Sequence, residues 1–490
     1  MVPRNSRVLS LPNETLAEIF HQYVHLDDSD IVYYGGGPWV LSSVCHSWRY
    51  VALAHPTLWS FIRVENLHYL CGDVGRLLTS SASYDDENTC GILHLLNLAL
   101  QRSKARPLHV RMNVSTVDHS RLLEYIIRAI VAHCDRWKTA DLTITREITS
   151  LFAPISTHLS LLSELTLSSF EDFPQQFPYA AIAPSLTRVT LKGFRHTIVP
   201  LPWPSVRHFA EQHIWQSPIA ATNSFLTLLQ LNAQLESLDL AYDCPYPSAK
   251  SPLTHQSLRR LATSEPDIIR SLTLPQLEEL VIENRKGILP AVRSLLRRSE
   301  CSLRSLHLVD FAFSQNTIAL LSLCNNTLRS LIVRLTDFEP DDKESMEKLV
   351  QKLAEPFFLP SLEALAIVIF RDYHSEDSNF MERPCDLSFI DDTFVDILAD
   401  RWRRRLVEGQ AHLKRAFVLV DLPSAVTLSQ THRDHLRQMC DEGLDVTITA
   451  RDPEGLDLSK DAKDISYVYD EVHVYEYRLL GGYVLVNELD

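Results

Sequence analysis

His21 and His25 stand four residues apart in "SLPNETLAEIFHQYVHL". That spacing puts two imidazoles on one helix face, as in a zinc-binding pair. The segment offers no third ligand, so no metal is expected there. Asp27, Asp28 and Asp30 resemble the start of a calcium loop, but the Gly and Glu that such a loop needs do not follow at the required spacing. Gly35–Gly37 has no strand before it and so does not read as a phosphate-cradling turn. The basic run Arg401–Arg405 could form a localisation or nucleic-acid patch; it reads better as a solvated helix end that complements the helix dipole. The GxxxxGK[ST], GxSxG, HExxH and GxGxxG patterns are absent from the sequence. The chain is therefore not expected to be an enzyme, and no cofactor is implied.

The elements that carry these residues belong to a chain of 490 residues, enough for about three domains or one long repeat array. Its net charge is −15, and residues 441–490 hold 13 acids against four bases. Nucleic acid is an unlikely match for such a balance, because a basic stripe is the usual footprint of nucleic-acid binding. The nine cysteines form no CxxC pair and no regular framework, which reads as reduced thiols and an intracellular setting, cytoplasm or nucleus. No secretory leader is expected at the N-terminus, and the best apolar run, "LEALAIVIF", is too short to span a membrane.

Near the N-terminus, "LPNETLAEIFHQYV" reads as a helix with Pro12 in its first turn and Leu16, Ile19, Phe20, Tyr23 and Val24 on one face. "DDSDIVYYGGGPWV" reads as a loop. Leu41, Val44, Cys45, Trp48, Val51 and Ala52 line a second helix, which Pro56 ends. So much apolar surface on about sixty residues must face another domain or a partner.

"LPNETLAEIF" followed by "WVLSSVCHSWRYVALAHPTLWSFI" resembles an F-box, especially the large fungal F-box-like family. The likeness covers roughly residues 8–64 and continues through "LQRSKARPL" and "HCDRW" to about residue 145. The long linker with Gly35–Gly37 departs from the family pattern. The resemblance implies docking on the Skp-type adaptor of a cullin–RING ubiquitin ligase. Leu11, Pro12, Leu16, Ile19, Phe20, Val44, Cys45 and Trp48 would supply that surface or its support. On the residues alone, the same set also suits the core of a small helical cap.

Beyond this segment the template L-x-x-L-x-L recurs, starting at Leu162, Leu186, Leu235, Leu277, Leu303, Leu328 and Leu362, with weaker copies at Trp137, Val206 and Leu258. Successive steps are 25, 24, 20, 29, 23, 19, 26, 25 and 34 residues, close to the spacing of leucine-rich repeats. Each copy predicts a strand, a turn and a helical or irregular return; "LTHQSLRRLA" and "ILPAVRSLLRRS" are such returns. Phe170, Phe194, Phe311 and Phe370, three residues past their strands, predict a stacked phenylalanine spine. "RAFVLVDL" and "LDVTITARD" read as late strands. "ISYVYDEVHVYEYRLLGGYVLV" leaves a terminal hairpin and a disordered acidic tail both open.

The expected architecture is therefore α/β: a helical F-box (1–64), a helical linker (65–105), an irregular leucine-rich-repeat solenoid of parallel strands (106–425) and an acidic cap or tail (426–490). Residues alternating with the leucines should face outward. They are Arg188, Thr190 and Lys192; Ser237 and Asp239; Glu279, Val281 and Glu283; Ser305, His307 and Val309; and Ser330, Ile332 and Arg334. Glu279, Glu283, His307, Ile332 and Arg334 are the candidate target-binding set. The implied function is a substrate receptor of an SCF-type ubiquitin ligase, whose partners are the adaptor, the cullin and an unknown protein target, with neither nucleic acid nor membrane. A non-ligase interaction scaffold with a drifted F-box is the alternative.

Overall fold

The computed structural model describes residues 11–26, 29–65, 87–113, 121–157, 159–169, 183–197, 199, 201–212, 224–241, 252–336, 338, 340–370, 386–404, 411–423 and 428–451. The chain divides into two compact units, Met1–Gln216 and Ser217–Asp490.

The first unit opens with helices α1 (Asn13–Leu26), α2 (Gly37–Val44) and α3 (His46–Ala54), then a 3-10 turn at Pro56–Trp59. Its strands are β1 (Phe61–Val64), β2 (Leu108–Met112), β3 (Trp137–Thr143), β4 (Glu164–Ser168), β5 (Arg188–Lys192) and β6 (His208–Gln212). Each is hydrogen-bonded in parallel to the next. Helix α4 (Glu87–Arg102) returns between β1 and β2, and α5 (Arg121–Val131) between β2 and β3. Leu123, Ile126, Ile127, Ile130 and Val131 of α5 form an i, i+3, i+4, i+7, i+8 stripe, and all five are buried.

The second unit starts with α6 (Ser224–Leu231) and carries strands β7 (Ser237–Ala241), β9 (Arg260–Thr263), β11 (Glu279–Glu283), β12 (Ser305–Val309), β13 (Ser330–Thr336), β14 (Ala364–Phe370), β15 (Arg415–Pro423) and β16 (Asp445–Arg451). These also pair in parallel, in that order. The short strands β8 (Leu253–Thr254) and β10 (Leu272–Thr273) form a separate pair. The returns include α7 (Pro266–Arg270), α8 (Ile288–Ser299), α9 (Gln315–Leu323), α10 (Pro340–Ala354), α11 (Asp392–Arg403) and α12 (Gln430–Asp441). Each unit is thus a solenoid-like α/β stack. All ten copies of the template lead into a strand, and their inward leucines, such as Leu280, Leu306 and Leu331, are fully buried.

Several expectations change. The helix predicted across residues 41–52 is two helices, because Cys45 is extended (φ −157°, ψ 173°) and caps α3, its sulfur accepting from the Trp48 N–H. The loop predicted through Val40 gives way to helix at Gly37, where Pro38 suits the first turn. Phe61–Val64, which begins with the trailing apolar Phe61 of the sequence, is the first strand of the sheet, paired to β2. "LTHQSLRRLA" contains β8 and the start of β9 in place of a return.

Arg401 is no solvated helix end. It is buried, with its guanidinium donating to the carbonyls of Leu353 (2.7 Å), Phe358 (2.7 Å) and Leu359 (3.1 Å). Burial lowers its pKa to about 10, so the group still carries its charge at neutral pH. There it closes the carbonyl end of α10, where a cation is favoured.

The phenylalanine spine is not continuous. Phe194, Phe311 and Phe370 are buried, but Phe311 follows the left-handed Asp310 (φ 55°), whereas Phe370 ends β14 opposite Thr336. Phe170 lies outside the described residues, as does the stretch 452–490 on which the tail reading rests.

Gly193, just past β5, has φ +73°, and a Cβ there would lie 2.1 Å from the Ser169 carbonyl oxygen. That oxygen belongs to backbone, which cannot swing away. Gly193→Ala should cost about 1–3 kcal/mol and lower the thermal midpoint. Gly91→Ala, in α4 with open space around it, should hold or raise the midpoint by removing a helical glycine. Equal midpoints for the two variants would contradict the packing at Gly193.

Candidate functional site

The N-terminal helices use their apolar residues in two ways. Leu16, Phe20 and Val24 face inward along α1, and the Phe20 ring packs on Trp48 at 4.8 Å between centroids. Trp39 and Trp59 meet edge-on at 4.7 Å, and the Arg102 guanidinium of α4 lies 5.0 and 4.4 Å from their ring centres. Their indole N–H groups donate to the Ile31 and Ala52 carbonyls, both at 2.8 Å. Ile31 and Val32, from the segment expected to be a plain loop, are buried as well. Ile31 donates to the Arg63 carbonyl at 2.9 Å, and Asp30 accepts from the Glu65 N–H at 2.8 Å. The aspartate that looked like a calcium ligand thus helps to close the edge of β1.

A second apolar set remains in solvent. Ile19, Tyr23 and Leu26 of α1 are 48%, 42% and 69% exposed, and Val44, Tyr50 and Leu53 are exposed on α2 and α3. The candidate adaptor set is therefore split. Ile19, Val44 and Pro12 face outward; Leu11, Cys45 and Trp48 are partly covered; Leu16 and Phe20 are core. Sequence reasoning missed Leu26, Tyr50 and Leu53. The width of the apolar stripe on α1 was the available signal: six large apolar residues between Leu16 and Leu26 exceed one buried face.

The candidate target-binding set fares differently. Glu279 and Glu283 are partly exposed, but His307, Ile332 and Arg334 are 7–8% exposed and belong to the buried part of the outer face. Thr190, Val281 and Val309, also expected outside, are buried. The cause is lateral. In a parallel sheet each central side chain is flanked in register by those of two neighbouring strands: His307 lies between Val281 and Ile332. Arg334 is additionally covered by the Phe370 ring, 4.0 Å from its guanidinium carbon. Val368, Phe370 and Leu419 form an apolar cluster on this face, with Phe417 against it.

Paired charges line one stretch of the second unit's outer face. Arg260 pairs with Glu279 at 2.9 Å, and the His307 imidazole lies 4.0 Å from Glu279. Burial raises the Asp239 carboxyl to about 6 against the pull of Arg260. In the first unit, the partly covered His196 and the buried Glu211 form a hydrogen-bonded pair at 2.5 Å, the imidazole meeting the Trp203 and Phe209 rings edge-on. No described group of three His, Cys, Asp or Glu residues could hold a metal ion. No described helix is long and apolar enough to cross a membrane. The chain matches no protein-family model and no curated protein sequence.

His21 and His25 pack against Phe61 of β1 at 6.0 and 5.5 Å, and Phe61 stacks on His109 of β2 at 4.9 Å. Burial, then the charges of Lys138, His25 and His21, push His109 down to about 4. Burial, His21 and Arg63 lower His25 also. A histidine lowered on folding is neutral in the folded state and takes up protons on unfolding. Its contribution is complete above the unfolded value near 6.5 and is lost as pH falls towards 4. For His109 that amounts to at most about 3 kcal/mol. His109→Phe keeps a ring on Phe61 but cannot charge. Between pH 7.5 and 4.5 the wild type should lose more thermal stability than this variant; parallel losses would refute a role for His109.

Proposed function

We propose that this chain is the substrate-recognition subunit of an SCF-type, cullin–RING ubiquitin ligase. The N-terminal helices would dock on the Skp-type adaptor as an F-box, the leucine-rich repeats would hold a protein target, and the chain itself would perform no chemistry. The observation that carries this reading is the second apolar stripe of α1. Its inward stripe is already used by Leu16, Phe20 and Val24, yet Ile19, Tyr23 and Leu26 add an outward one. Exposed apolar surface of this kind marks a protein-interaction site. It coincides with the segment that resembles an F-box. In the scaffold alternative, the same stripe would bind a different protein.

The test uses the full-length chain co-expressed with a Skp-type adaptor. Ile19→Asp combined with Leu26→Ser should reduce co-purified adaptor at least tenfold, since each buried apolar side chain contributes roughly 1.5–3 kcal/mol. The thermal midpoint should stay unchanged, because neither side chain is in the core. Full retention of adaptor by the double variant sinks the docking role; a wild type that never captures adaptor leaves the scaffold reading.

A further inference from the structure

In the second unit, the residue just before each long strand up to β15, and the first residue of β16, is charged: Glu236, Arg259, Glu278, Arg304, Arg329, Glu363, Lys414 and Asp445. Each after Glu236 donates its backbone N–H to the carbonyl of the one before it, at 2.7–3.0 Å, so the eight form one ladder along a rim of the sheet. Neighbouring rungs pair across it: Arg259 and Arg304 with Glu278 at 3.8 Å, Arg329 with Glu363 at 3.3 Å, and Lys414 with Glu363 at 2.7 Å. Charge alternates at every step but one. Arg304 and Arg329 are adjacent, their backbones joined at 2.7 Å, with side chains 57% and 59% exposed.

Like charges directly opposite one another in a sheet are destabilising. Each arginine leans on a glutamate at its far side, and the step between them holds no acid among the described residues. The two arginines spring from backbones one strand spacing apart (about 4.8 Å), and turned towards each other their guanidinium forks would suit a carboxylate or a close pair of them.

A second feature lies on the same turns. Leu323 stands six residues before Arg329, and Phe357 six residues before Glu363. They are 44% and 86% exposed, and Phe357 is the most exposed large apolar residue described. Its backbone is held in place: the Asn325 amide donates to the Phe357 carbonyl at 2.8 Å, and Asn325 Oδ1 accepts from the Leu359 N–H at 2.6 Å. The Arg404 guanidinium donates to the Pro356 carbonyl at 3.2 Å. A fixed, solvent-facing phenylalanine on the turn held by Asn325, four residues before Arg329, adds an apolar contact to the like-charged arginine step.

We propose that this rim docks an acidic protein segment, one to three carboxylates seating between Arg304 and Arg329 and a nearby apolar side chain covering Phe357 and Leu323. The inference rests on the proposed receptor function in so far as the segment belongs to the captured target. Nucleic acid is disfavoured as the occupant by the net charge of −15.

The test measures fluorescence polarisation of two labelled peptides on the purified full chain, without adaptor. One carries three adjacent acids two residues from a Phe-Leu pair; the other has the acids replaced by their amides. The acidic peptide should bind at least tenfold tighter; Arg304→Ser with Arg329→Ser should remove that preference, and Phe357→Ser alone should weaken both peptides, while the thermal midpoint holds. Equal binding of the two peptides, an unchanged preference in the arginine variant, or undiminished binding of both peptides by Phe357→Ser overturns the proposal. Binding that emerges only once Asp470, Glu471 and Glu476 are changed to their amides would put the chain's own acidic end on the rim and overturn an outside partner. Because adaptor is absent, failure here leaves adaptor capture untouched, and failure of adaptor capture leaves this result standing.

Discussion

The structure depends on the register of its parallel strands. In each unit most repeats are tied by a backbone N–H at the start of a strand that donates to the equivalent residue of the previous repeat, as Thr187 does to Ser163 and Arg329 to Arg304. That bond sets which side chains lie abreast. Because side chains alternate along a strand, a slip of one residue would turn every leucine out of the core. With the register kept, Leu280, Leu306 and Leu331 stack under one another with no exposed surface, and each repeat completes the core of its neighbour.

The same register explains why the inner face was legible and the outer face was not. The L-x-x-L-x-L template names inward positions directly, and all ten copies lead into strands. Outward exposure depends on the two flanking strands and on the width of what stands there, which one segment of sequence does not state. His307 alternates correctly with Leu306 and Leu308, yet it is hidden between Val281 and Ile332. The rung positions were available by another route. The residue after the first leucine of each late template is charged, a regularity already present in the aligned sequence copies, whereas the ladder it forms needs the backbone register.

At the N-terminal end, sequence reading placed the helices but not their limits. Cys45 looked like one more apolar position, and only its extended backbone shows that it divides α2 from α3. Phe61–Val64 reads as trailing apolar residues because its strand partner is Leu108–Met112, more than forty residues downstream. Arg401 looked like part of a basic run; its role depends on three carbonyls that lie over forty residues earlier. Long-range partners of this kind leave no local trace.

The short joint between the helices and the sheet has a mechanical consequence. Ser60 alone separates the Pro56–Trp59 turn from β1, and its carbonyl accepts from the His109 N–H of β2 at 2.9 Å. Arg102, reaching from α4 to both tryptophans, braces the other side of that joint. Helices and first strands therefore share no hinge. Torque applied at α1 passes into the sheet as into a welded bracket, and a body seated on those helices would be held at a set angle to it, with its reach fixed by the frame and not by a tether.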